Sequence, residues 1–94
     1  MDITEFQETI LNDQPPEGLS AALLALWWEA NGDWDRAHVF AQDDKTTEGS
    51  WVHAYLHRVE GDLSNAGYWY RRAGKPASQA ALPDEWRDIT ATLL

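Results

Sequence analysis

The dipeptide Gly-Asp occurs twice, as Gly32-Asp33 and Gly61-Asp62, and each copy lies between two apolar segments of helical spacing. This constrains the fold more than any other feature of the chain. Glycine takes the left-handed conformation that closes a helix C-terminus. Aspartate accepts hydrogen bonds from the free N–H groups that open the next helix. A turn that short forces the two helices it joins to lie antiparallel. The two copies are 29 residues apart, and at that period Ala25 aligns with Ala54 and Ala37 with Ala66. A small side chain at these positions lets the backbones of paired helices approach closely.

The rest of the pattern follows from periodicity and breakers. Ile3, Phe6, Ile10 and Leu11 predict a short first helix with Asp2 or Thr4 as its cap, ended at Pro15-Pro16. The second helix is predicted from Pro16 or Glu17 to Asn31. Only Ser20 is polar between Leu19 and Trp28, so this helix belongs at the centre. A helix over 34–42, a polar loop over 43–49, and helices over 50–60 and 63–73 complete the repeat. The last of these stops at Gly74, with Pro76 beyond it. A final helix starts near Pro83 or Asp84 and offers Trp86, Ile89 and Leu93 to the core. The expected fold is all-α: one domain over 1–94, with core hairpins at about 17–43 and 50–74 flanked by short terminal helices. Six tryptophans in 94 residues serve as spacers between such helices, or as an aromatic surface for a ligand.

The strings Ala25 to Ala37 and Ala54 to Ala66, each carrying the glycine–aspartate corner, resemble the tetratricopeptide-repeat family. The resemblance covers about residues 17–76 and implies two tetratricopeptide-like antiparallel hairpins. The period of 29 departs from the family's ~34, and two repeats fall below the three or more of a self-standing array. The flanking helices are therefore expected to act as caps. The run Trp51–Gly74 is also similar to a string shared by small proteins of uncharacterised function. Neither resemblance implies an activity, because the helical-repeat scaffold binds many unrelated partners.

Charge and composition exclude several classes. The net charge is −9, and residues 1–35 hold eight acids and no Lys or Arg. That balance opposes binding to nucleic acid or to an anionic membrane. With no cysteine, disulfides and thiolate chemistry are absent. The longest apolar run, Ala21–Trp28, is far short of the ~20 residues of a membrane span. Together with the acidic start Met1-Asp2-Ile3-Thr4-Glu5, this makes a cytoplasmic protein the expectation.

One departure from the repeat points to chemistry. His53 and His57 stand where the first hairpin has Leu24 and Trp28, and Glu60 continues their helical stripe. Two histidines four residues apart can ligate one metal ion, with a third ligand from His38 or a carboxylate. The glutamate that accompanies this spacing in helix-borne zinc proteases is missing, since Ala54 stands there. The plainer alternative is that the histidines face the C-terminal segment and hydrogen-bond in the core, or are exposed. A pocket for a small molecule or anion has candidate walls in Arg58, Asn65, Tyr68, Trp69 and Arg72. Those arginine and aromatic side chains also suit a protein-binding hot spot.

No phosphate loop or nucleophile elbow is present. No catalytic residue, metal ligand or cofactor is assigned on sequence grounds. The leading expectation is a non-enzymatic interaction or scaffold module for a protein or peptide partner, or for a second copy in a homodimer. The alternative is a small-molecule, anion or metal-binding protein centred on His53 and His57.

Overall fold

A computed structural model describes residues 1–94 as six helices and no strand. They are α1 (Ile3–Thr9), α2 (Ala21–Ala30), α3 (Trp34–Asp43), α4 (Thr47–Glu60), α5 (Leu63–Ala73) and α6 (Leu82–Leu93). No helix is long and apolar enough to cross a membrane.

Both glycine–aspartate corners have the expected local chemistry. Gly32 and Gly61 have φ of 99° and 88°, in the left-handed region. The following amides reach back across the helix ends: Asp33 N donates to Trp28 O and Asp62 N to His57 O. Asp33 then caps α3 by accepting from Arg36 N, and Asp62 caps α5 by accepting from Asn65 N. Each bond satisfies a backbone group that the helix interior leaves free. The chain therefore folds back twice, α2 against α3 and α4 against α5, and these are the two most extensively packed helix pairs. Ala25, Ala37, Ala54 and Ala66 are all buried, and Ala54 and Ala66 pack together with Tyr70.

Two helix starts differ from expectation. α2 begins at Ala21 rather than near Glu17, because the Ser20 hydroxyl accepts from Leu23 N and makes the cap. The preceding Gly18 is left-handed, which ends any earlier helical turn. α4 begins at Thr47 rather than Ser50, so the expected loop shrinks to three residues. Asp44 accepts from the backbone and hydroxyl of Thr46, and Thr46 in turn accepts from Gly49 N. Gly49 fits there because it lacks a side chain: a Cβ would lie 2.5 Å from Asp44.

The main core draws on α1, α2, α3, α4 and α6, with Leu26, Trp27, Val52, Leu56 and Ile89 fully enclosed. α2 supplies six of the fourteen buried residues of this core, but α4, which packs on α2, α3, α5 and α6, is the helix with the most partners. A fully buried indole such as Trp27 removes ~150–250 Å² from water. At ~25 cal/mol per Å², that is a gross gain of about 4–6 kcal/mol. α6 is fastened to α2 by Trp86 Nε1, which donates to Leu26 O at 3.0 Å. α5 lies outside the main core and packs on α4 through the smaller Ala54–Ala66–Tyr70 cluster.

Candidate functional site

The tryptophans divide into two groups. Trp27, Trp28 and Trp86 are buried spacers, whereas Trp34, Trp51 and Trp69 are half-buried. Trp34 and Trp69 line a cluster of three histidines where α3, α4 and α5 meet.

His53 and His57 occupy successive turns of α4, with their rings stacked 4.8 Å apart. His38 reaches them from α3, and its Nε2 lies 3.0 Å from His53 Nε2. One ring nitrogen from each histidine lies within 4.8 Å of one from each of the others. The flanking side chains restrict ring rotation. Trp34 stacks on His38 at 4.9 Å and 11°, and Trp69 on His53 at 3.9 Å and 17°. Trp34 is itself held by its indole N–H, which donates to Leu56 O at 2.8 Å. His57 Nδ1 is 2.6 Å from Glu60 Oε1, and Asn65 Nδ2 is 3.3 Å from His57 Nε2.

This arrangement is costly as plain core. His38 and His53 can share only one proton between their facing Nε2 atoms. The other nitrogen of His53, Nδ1, is buried without any hydrogen-bond partner. In either tautomer a polar group is left unsatisfied, at a cost of about 1–3 kcal/mol. Burial and the neighbouring His38 and His57 depress the His53 pKa to about 3. Burial, then His57, also lowers that of His38. These imidazoles are therefore neutral near pH 7, the form that carries a lone pair for a ligand. At the positions aligned in sequence with His53 and His57, the first hairpin holds Leu24 and Trp28, so the histidines depart from the repeat pattern.

Of the residues expected to form a site, His53, His57, Glu60, Asn65 and Trp69 meet here, together with His38. The histidines do not face the C-terminal segment; α3 and α5 cover them instead. Arg58 is turned away: it pairs with Glu85 of α6 at 2.8 Å and donates to Ala80 O. Tyr70 donates to the other oxygen of Glu85, and this places both side chains in a network that joins α4, α5 and α6. Burial and Glu85 push the Tyr70 pKa well above the usual phenol range. Tyr68 and Arg72 lie on the rim, with the Arg72 guanidinium 5.2 Å from the Trp69 ring and 5.8 Å from the Tyr68 ring.

Sequence reasoning missed Trp34, although its spacing of four from His38 was a usable signal. It also missed Glu85 and Tyr70, which carry no local mark of their role.

The sequence matches no family model, no curated protein and no solved structure. The functional reading therefore rests on the arrangement itself.

Proposed function

We propose that the protein is a binding module that holds a divalent first-row transition-metal ion at His38, His53 and His57. The observation that carries this reading is the convergence of three imidazoles from both helix pairs, with ring nitrogens within 4.8 Å of one another. Imidazole suits zinc, copper, nickel and iron. With Zn–N bonds of 2.0–2.1 Å, tetrahedral ligands stand ~3.3 Å apart. The observed 3.0 Å between two Nε2 atoms lies close to that. Glu60 supports His57 as outer carboxylates support metal-bound histidines, by fixing the ring through its other nitrogen. Three protein ligands leave a fourth position for water or an exogenous group. A second carboxylate-bearing set, His57, Glu60 and Asp62, is less suited, because Asp62 is engaged as the cap of α5.

The test is metal analysis of tag-free protein, followed by titration of chelator-treated protein with zinc, copper, nickel and cobalt. One equivalent should bind and raise the melting temperature, and the cobalt form should show d–d absorption. His38→Ala removes a half-buried ligand with little effect on the core and is expected to weaken binding at least tenfold. Absence of stoichiometric binding by all four ions sinks the proposal.

The protein-interaction reading has its own observation. Tyr68 is exposed beside Trp69, and the Arg72 guanidinium lies over both rings, which gives α5 an outward aromatic and arginine strip. In this reading the paired helices serve as a tetratricopeptide-like scaffold that presents α5 to a partner. Unchanged partner capture by both Arg72→Ala and Tyr68→Ala removes its support.

A further inference from the structure

On the opposite side of α4 from the histidines' partner helices, a groove of about 430 Å³ opens between α1, α2, α4 and α6. Ile10, Val59, Leu82 and Trp86 contribute apolar walls, and Glu29 and Tyr55 lie side by side among them. Its size falls within the usual range for small-molecule sites.

Glu29 is the only charged residue that lines the groove, and it forms no ion pair. Its sole side-chain hydrogen bond is a long one, 3.4 Å, from the Tyr55 hydroxyl to Oε2. Oε1 therefore has no protein donor. Burial raises the Glu29 pKa despite the Tyr55 bond, which reflects the poor solvation of the ionised form. A carboxylate in that position gains from a cation, whereas a neutral or anionic ligand leaves its charge uncompensated. The Trp86 N–H is already committed to Leu26 O, which leaves the indole to act as apolar surface.

We infer that this groove is a second binding site, for a small amphipathic amine. The ammonium pairs with Glu29, and an alkyl or aryl body packs on Ile10, Val59, Leu82 and Trp86. The site is independent of the histidine cluster and stands whether or not that cluster binds metal.

The experiment uses chelator-treated full-length chain and phenethylamine as the probe, followed by calorimetry and by amide and indole chemical shifts. Two analogues share its aryl body: 2-phenylethanol with a neutral head and 3-phenylpropanoate with an anionic one. At pH 7 the amine is expected to bind at least tenfold tighter than the alcohol, with the acid weakest. The largest shifts should fall on Glu29, Tyr55 and the Trp86 indole. The near-isosteric Glu29→Gln variant should lose at least tenfold in amine affinity while it keeps its affinity for the alcohol. Equal binding of amine and alcohol, an unaffected Glu29→Gln variant, shifts confined to the histidine side, or no binding by any of the three overturns the inference.

Discussion

At the scale of single residues, the tension in this protein centres on His53. Its ring is enclosed, one nitrogen has no partner, and its pKa is held near 3 chiefly by burial. An unfolded imidazole titrates near 6.5. Between those values the unfolded chain binds a proton that the folded chain refuses. Stability is therefore intact above pH 6.5 and falls as the pH drops towards 3. This one group contributes a slope of ~1.4 kcal/mol per pH unit, and His38 adds a slope of the same sign. His53→Leu restores the residue type of the aligned position in the first hairpin. In chelator-treated protein it is expected to raise stability at pH 7 by about 1 kcal/mol, since an unsatisfied polar group goes. It should also flatten the acid slope. Urea unfolding at pH 7 and pH 5 checks both. A variant less stable than the parent at both values contradicts the account.

At the scale of helices, the corners and caps are local chemistry, and their effect is confined to the ends they close. Gly61 has φ of 88°, and a Cβ there would meet nothing within 4 Å. Gly61→Ala therefore introduces no clash, only the backbone cost of a left-handed alanine, about 1–2 kcal/mol. The loss should appear as a shifted denaturation midpoint with an unchanged slope against denaturant. A change below about 0.3 kcal/mol would mean the α4–α5 corner relaxes to another turn. The starts of α2 and α4 show the limit of such local reasoning. Ser20 and Thr46 are both valid caps by residue type, yet so are several polar neighbours. The competition was decided by which side chain the folded backbone sets within reach of a free N–H, and Pro15-Pro16 and Gly49 do not announce that outcome in sequence.

Across the whole molecule, α5 and α6 are tied to α4 by the trio of Arg58, Tyr70 and Glu85. Glu85 is 4% exposed, and both its carboxylate oxygens accept hydrogen bonds. Removing a buried partner leaves the other charge uncompensated, which costs more than the pair itself contributes. Glu85→Ala is expected to lower stability by about 3 kcal/mol, the lower end of the range for such pairs because Arg58 keeps some solvent contact. Glu85→Gln, which retains an acceptor, should cost less. Hydrogen exchange should show the loss concentrated in α5 and α6. Uniform loss across α2 and α3 would argue that the trio is not the fastening point.

Repeat period, glycine–aspartate corners, helix count and the burial of α2 were legible from sequence. Each depends on residues within a few positions of one another. The stripe of His53, His57 and Glu60 was legible for the same reason, being a helical spacing. Which partners complete that stripe was decided only by tertiary packing. His38 is 15 residues from His53 in sequence, and Tyr55 is 26 from Glu29. Those meetings follow from how α2 and α3 are rotated and seated against α4. Arg58 makes the point most plainly: one residue along from His57, it leaves the cluster, because that step around a helix turned it towards Glu85, 27 residues away.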